Sequence, residues 1–146
     1  MNIEKNPRQT WLLIGLSMNL VATILHYTDN FIFFADYPAP VWMHPHQVWI
    51  AWLILAPFAV VGYIQYAKGN FWVAYLCLCV WAVTSVGGIA HYFFGSLSAF
   101  SVKMQIFIWF EELTGWMLLG FLFWSCLILK EWRKEKLFNY DLTSHI

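Results

Sequence analysis

The chain has 146 residues, of which 61% are apolar and only 11% carry a charge. This leaves too little polar surface to cover a water-soluble globule, so the composition indicates an integral membrane protein with the lipid bilayer as its solvent. The formal net charge is zero, and the basic residues form no run beyond the short segment 130–136. That balance excludes a nucleic-acid-binding protein, which needs a basic surface.

Four apolar segments are long enough to cross the hydrocarbon, which takes about 20 residues of helix. In chain order they are 11–34, 48–67, 71–94 and 104–129. Turn-forming residues separate them, and a polar tail follows at 130–146. The sequence therefore predicts an all-α, four-helix transmembrane bundle that forms a single domain over 1–146.

The positive charges lie unevenly on the two sides of these predicted spans. Lys103 is the one basic residue in the loop regions of one side, and the other side holds seven: Lys5, Arg8, Lys68, Lys130, Arg133, Lys134 and Lys136. Because basic residues accumulate on the cytoplasmic side, both termini are predicted to be cytoplasmic. The acidic residues of the tail, Glu131 among them, are expected to be ordinary surface.

The first span carries a polar stripe. Asn19, Thr23, His26 and Asn30 follow the spacing i, i+4, i+7, i+11, which places them on one helix face. On the third span Thr84, Gly87 or Gly88, and His91 repeat the pattern. Polar side chains inside a span must face a partner or water, so both stripes are predicted to point into the bundle.

The fourth span carries two consecutive carboxylates, Glu111 and Glu112. Glu112 shares a helix face with Ile108 and Gly115, whereas Glu111 lies on the adjacent face. Only one of the two needs to point towards the bundle centre, and helical phase favours Glu112. Small glycines on the third and fourth spans, including Gly115, are expected to allow close helix approach beside it.

Counted along the helices, each span places an ionisable group in the same outer layer of the bilayer: His26, His46, His91 and Glu112. The alternative is a set of interhelical hydrogen bonds of the kind that any membrane bundle contains. For the layer as a whole we favour function, because carboxylates at this depth are costly to keep for packing alone.

The chain also has ten tryptophans. Six fall at the predicted membrane boundaries, where tryptophan is common. Trp52, Trp81, Trp116 and Trp124 lie a turn or more inside their spans, where they either wall a cavity or simply pack.

Our first interpretation is a site that binds or acts on a lipophilic small molecule such as a sterol, isoprenoid or lipid. Glu112, His26, His91 and Glu111 are the candidate catalytic residues, because a His and Glu pair can deliver and remove a proton away from water. The candidate ligand-binding residues are Asn19, Thr23, Asn30, Trp52, Trp81 and Trp116. The four-helix plan with an outer acidic and aromatic cavity resembles the emopamil-binding and sigma-2 receptor class in topology alone, since the second span has no acidic residue.

Two alternatives remain open. Imidazole and carboxylate ligands would suit a divalent metal held by His26, His91, Glu112 and His46, or a haem held between His26 and His91. The third interpretation is a non-catalytic accessory subunit whose aromatic surface packs against a larger membrane-protein partner.

Overall fold

The computed structural model describes residues 7–133, and within that range the chain is helical, with no strands. The four long helices are α1, α2, α3 and α4, which span Pro7–Ile32, Pro45–Ala67, Phe71–Ser85 and Val102–Phe123. With their continuations, all four are long and apolar enough to cross a membrane. The prediction of an all-α, four-span membrane protein is thereby confirmed, whereas the side on which the termini lie remains a prediction.

Helix α2 begins three residues before its predicted span because a proline starts it. Pro45 lies in the first turn of the helix, where the missing amide hydrogen costs nothing. His44 is the N-cap, and its backbone N–H donates to Gln47 Oε1 at 2.7 Å. The apolar run predicts the part of α2 inside the hydrocarbon, and this cap marks where the helix begins.

The third span is not one regular helix. From Val86 to Phe93 it continues as a 3₁₀-helix, which the sequence pattern did not predict. Gly115 of α4 lies against the junction, and a Cβ atom there would lie 3.0 Å from Ser85 Cβ and 3.1 Å from Val86 N. The expected close helix approach at Gly115 is confirmed, and it brings α4 directly against the start of the 3₁₀ segment.

Each helix packs against two neighbours, so that α1 and α3 both lie between α2 and α4. An apolar core fills the half of the bundle near the start of α1 and the end of α4, around Leu12, Leu78 and Leu118. A smaller apolar cluster around Tyr37 and Ile108 fills the opposite end. The buried polar residues of α1 lie between these clusters or beside the smaller one.

We name the two ends of the bundle by what they carry. The terminal end holds the start of α1 and the end of α4, and a hydrogen bond from Gln9 Nε2 to the Ala67 carbonyl shows that the α2–α3 loop lies there too. The cavity end holds the connections from α1 to α2 and from α3 to α4. Of the basic residues in the sequence prediction, Arg8, Lys68, Lys130 and Arg133 lie at the terminal end and Lys103 at the cavity end, whereas Lys5, Lys134 and Lys136 lie outside the described residues.

The expectation that Glu131 is an ordinary surface residue is wrong, because only 2% of the residue is exposed. Tyr66 and Ser125 each donate a hydroxyl hydrogen bond of 2.6 Å to its Oε2, and Arg8 forms an ion pair with its Oε1. The cause lies one residue earlier, where Lys130 adopts a left-handed conformation with φ of 50°. This turn follows the π-helical continuation of α4, Trp124–Ile128, and directs Glu131 back under the bundle.

Candidate functional site

The centre of the site is a buried pair between α1 and α4. His26 Nδ1 contacts Glu111 Oε2, and both side chains are almost fully buried. The sequence named both residues as candidate catalytic groups but favoured Glu112 as the carboxylate facing the layer of His26, whereas the structure brings Glu111 into direct contact with His26. A hydrogen-bonded His and Glu in hydrocarbon is the kind of partnered arrangement that makes buried ionisable groups tolerable.

Glu112 points elsewhere. Its Oε1 accepts a 2.6 Å hydrogen bond from the backbone N–H of Ile89, in the 3₁₀ segment. The prediction that Glu112 is the one inward-facing glutamate is therefore wrong, because both are buried. Since α4 packs against α1 on one side and against the third span on the other, two adjacent faces of the helix are covered, and each face carries one glutamate.

His91 belongs to a separate hydrogen-bond chain. Its Nδ1 lies 3.3 Å from the carbonyl oxygen of Pro38, and its Nε2 lies 3.2 Å from Asn30 Nδ2. A carbonyl oxygen can only accept, so Nδ1 carries the hydrogen, and Nε2 of the neutral ring accepts from the Asn30 amide. Both ring nitrogens of His91 are thus engaged by protein groups.

A cavity of about 380 Å³ opens beside the pair, in the half of the bundle at the cavity end. Its size is within the usual range for small-molecule sites. The lining contains neither Lys nor Arg and combines polar with apolar or small side chains: His26, Tyr27, Asn30, Met43, Gln47, Val48, Ala51, Val83, Thr84, Gly87, Gly88, His91 and Glu111. The predicted stripes at His26 and Asn30 and at Thr84, Gly87, Gly88 and His91 therefore meet in one cavity.

Two buried polar atoms of residues that line this cavity have no hydrogen-bond partner within residues 7–133. They are His26 Nε2 and Asn30 Oδ1. Because buried polar atoms are almost always paired, two unpaired atoms on residues of one cavity lining are an unusual feature of this part of the bundle.

The loop after α1 covers the cavity end above the two histidines. Tyr37 is buried, and its ring centroid lies 6.0 Å from that of His26 and 5.4 Å from that of His91. Its hydroxyl donates a 2.8 Å hydrogen bond to Asp29 Oδ2, and Lys103 Nζ lies 2.6 Å from Asp29 Oδ1. Burial, reinforced by the hydrogen bond to Asp29, raises the pKa of Tyr37 above its usual range, so the phenol remains a donor.

Sequence reasoning noted Asp29 as an ionisable residue at the rim of the first span but did not group it with Tyr37 and Lys103. The tyrosine falls in a proline-rich loop outside the helical pattern, and Lys103 was used only for topology. One signal was present: Asp29 follows His26 by three residues, which places the two side chains on neighbouring positions of one helix surface.

The deeper polar residues of α1 connect helices. Asn19 Nδ2 donates to Thr114 Oγ1 at 2.9 Å, and its Oδ1 accepts from Ser85 Oγ at 3.1 Å. Thr23 Oγ1 accepts from Trp52 Nε1 at 3.1 Å. Asn19, Thr23 and Trp52, all predicted to bind ligand, lie outside the cavity lining and have one another or neighbouring helices as partners.

The other two predicted aromatic residues also lie outside this lining. Trp81 is buried in the apolar core of the terminal half. Trp116 is 62% exposed on the outer surface of the helix bundle, where the membrane would contact it. Packing, the alternative that the sequence left open, describes Trp81 better than a cavity wall does.

The predicted metal set is not assembled. His46 is exposed near the start of α2, where its ring stacks on His44 with centroids 5.8 Å apart. Glu112 is engaged by Ile89, and His91 has no free ring nitrogen for a metal or haem iron. Across residues 7–133, no group of three or more His, Cys, Asp or Glu side chains is arranged to hold a metal ion.

No protein-family model, curated protein or solved structure matches the chain. The function has to be argued from the residues of this chain.

Proposed function

We propose that this membrane protein binds a lipophilic small molecule in the cavity between α1, α2 and the third span, with the ligand's polar group next to the Glu111–His26 pair. The observation that carries the proposal is the position of that pair: a buried carboxylate and imidazole, inside the membrane-spanning region, both line a cavity of ligand size. Membrane proteins rarely keep such groups without a functional reason.

The surroundings of the pair favour a lipophilic ligand. Val48, Ala51 and Val83 give the cavity apolar walls, and Val83 is 53% exposed on the outside of the bundle. The cavity therefore reaches the surface that lipid would cover. A molecule dissolved in the bilayer has a direct route into it, whereas a charged, water-soluble molecule finds neither Lys nor Arg among the lining residues.

The same pair is suited to proton transfer. A hydrogen on His26 Nε2 can pass to a ligand atom, while Glu111 stabilises the imidazole at Nδ1. Binding is the primary proposal, and acid–base catalysis is the activity that the bound geometry supports.

A cavity-filling substitution tests the proposal without altering the pair. A Cβ atom at Gly87, which lines the cavity, would have no heavy atom within 4 Å. Gly87→Phe should therefore fold and obstruct the cavity. Gly120 of α4 has equally open surroundings and lies outside the lining, so Gly120→Phe is the matched control.

The measurement is thermal unfolding of purified protein in detergent, with and without a panel of sterols, isoprenoids and membrane lipids. Ligand binding to the folded state raises the unfolding temperature of wild type. We expect at least one panel member to do so for wild type and Gly120→Phe, and to have no effect on Gly87→Phe. A panel that leaves wild type unchanged, or a shift that survives in Gly87→Phe, would overturn the proposal.

A further inference from the structure

We infer that the polar group of the ligand is a hydroxyl, held between His26 Nε2 and Asn30 Oδ1. The inference rests on the proposed function and specifies its ligand as a lipophilic alcohol. The observation behind it is that these two atoms, alone among the fully buried polar side-chain atoms of the residues that line the cavity, have no partner within the described residues.

The orientation of the Asn30 amide follows from the chain of hydrogen bonds that begins at Pro38. The Pro38 carbonyl requires a hydrogen on His91 Nδ1, which leaves Nε2 of the neutral ring as an acceptor. Asn30 must then present its NH₂ group to His91 Nε2. Its carbonyl oxygen Oδ1 is left over, and this oxygen can only accept a hydrogen bond.

The unpaired nitrogen of His26 has the opposite requirement. A net charge buried in a low-dielectric interior costs several kcal/mol, so the His26–Glu111 pair is most stable when it is neutral as a unit. Either neutral form, the ion pair or the uncharged pair, has hydrogen on Nε2, because Nδ1 is used by Glu111. Nε2 is therefore a donor that lacks an acceptor.

A ligand that pairs both atoms must therefore offer a hydrogen-bond acceptor to His26 Nε2 and a donor to Asn30 Oδ1, at neighbouring positions. His26 and Asn30 are four residues apart on α1, so their side chains project from the same face one turn apart. A hydroxyl supplies both functions from one oxygen, because it accepts from Nε2 and donates to Oδ1. An ether supplies only the acceptor, a hydrocarbon supplies neither, and an ammonium group supplies only donors.

Matched ligands separate this inference from the proposed function. For each of three skeletons, a sterol, an isoprenoid and a straight chain, the affinity of wild type is measured for the alcohol, its methyl ether, the parent hydrocarbon and the primary amine. On the skeleton that binds, the alcohol should bind roughly tenfold or more tightly than the methyl ether, because the ether leaves Oδ1 unpaired.

The possible outcomes lead to different conclusions. If no compound binds, the proposed function fails and this inference fails with it. If ethers or hydrocarbons bind as well as the alcohol, or the amine binds more tightly, the cavity still binds ligands but the hydroxyl inference is overturned. This series needs no variant, so it does not depend on the folding of a mutant.

A variant then assigns the preference to Asn30. Asn30→Leu keeps a side chain of similar size and removes Oδ1, so the alcohol should lose its advantage over the methyl ether while both still bind. Asn70→Leu, at the exposed start of α3, is the control and should retain the wild-type preference. An alcohol preference that is unchanged in Asn30→Leu would show that Oδ1 does not contact the hydroxyl.

Discussion

Glu111 and Glu112 are consecutive residues with different partners: Glu111 contacts the His26 side chain, and Glu112 accepts the backbone N–H of Ile89. The first contact lies on the wall of a cavity, whereas the second supports the 3₁₀ segment of the third span. Adjacent carboxylates of the same type and similar burial are therefore expected to differ in role, one in ligand binding and the other in structure.

Replacing each glutamate by glutamine tests this difference. Glu111→Gln removes the carboxylate that holds His26, so the ligand-induced rise in unfolding temperature should disappear, corresponding to a roughly tenfold or larger loss of affinity. Without ligand, the variant should unfold near the wild-type temperature, because glutamine keeps the volume and the loss of a buried charge offsets the weaker hydrogen bond. The measurement is paired thermal melts with and without the ligand that stabilises wild type.

Glu112→Gln is the matched control, since the same chemical change is made one residue away. Glutamine Oε1 can still accept from Ile89, so ligand response should be retained. Equal loss of ligand response in both variants would contradict the separate roles of the two carboxylates.

The length of the apolar segments and the spacing of polar residues were sufficient to predict the four spans and the buried stripe of α1. The reason is that the side of a membrane helix that faces lipid must be apolar, whereas the side that faces other helices can carry polar residues. Asn19, Thr23, His26 and Asn30 are all buried, as their spacing predicted. The pattern could not divide that stripe into the part that crosslinks helices and the part that lines a cavity. That division depends on the neighbours, such as Thr114 for Asn19 and the empty space for His26.

Two other features depended on local backbone geometry that periodicity does not report. The change to a 3₁₀-helix at Val86 rotates the residues after it, and it supplies the Ile89 amide that engages Glu112. The left-handed turn at Lys130 buries Glu131, although charge alone places glutamate in the solvated tail. Assigning residues to helix faces from their spacing along one continuous α-helix therefore gives the wrong placement after both positions.

Close packing at Gly115 gives a stability prediction. A Cβ atom there would lie 3.0–3.2 Å from Ser85 and Val86 atoms, including backbone. Gly115→Ala should therefore lower the free energy of unfolding by about 1–3 kcal/mol. Gly120→Ala, on the same helix with no heavy atom within 4 Å of its Cβ, should raise it by about 0.5–1 kcal/mol through helix propensity. Denaturant unfolding in detergent measures both, and similar effects at the two glycines would contradict the packing argument.

The predicted orientation is tested by labelling at opposite ends of the bundle. Ser98 and Lys68 are exposed residues in the α3–α4 and α2–α3 connections. In a background without the native cysteines, Ser98→Cys should react with an impermeant thiol reagent on intact cells. Lys68→Cys should react only after permeabilisation, because the distribution of basic residues predicts that its loop is cytoplasmic. The reverse pattern would mean that the bundle is inserted the other way.

Lys130 is the one non-glycine residue with positive φ in the described chain. A side chain in this conformation costs about 1 kcal/mol, which glycine avoids. Lys130→Gly should therefore raise the free energy of unfolding by about 0.5–1 kcal/mol in chemical denaturation. Lys68→Gly is the control: Lys68 has φ of −81°, so glycine there only adds freedom to the unfolded chain and should be neutral or destabilising. A loss of stability in Lys130→Gly would show that the lysine side chain matters more than the turn.

The contacts of Glu131, with that of Tyr75 to Ser125, connect α1, α2 and α3 with the segment after α4 at the terminal end of the bundle. Removing the Glu131 carboxylate should therefore weaken these connections together. Arg8 belongs to α1, Tyr66 to α2, and Ser125 follows α4, while Tyr75 of α3 contacts the Ser125 hydroxyl at 2.8 Å.

Glu131→Ala leaves buried hydroxyl donors without an acceptor, so it should cost about 2–4 kcal/mol of unfolding free energy. Glu131→Gln keeps one oxygen acceptor and should cost less, and Asp36→Ala, at an exposed carboxylate, should cost almost nothing. Because Glu131 lies at the end opposite the cavity, the folded fraction of each variant should keep its ligand affinity. Denaturant unfolding and ligand titration of the same preparations check both statements, and a Glu131→Ala protein as stable as Asp36→Ala would mean that these contacts do not hold the helices together.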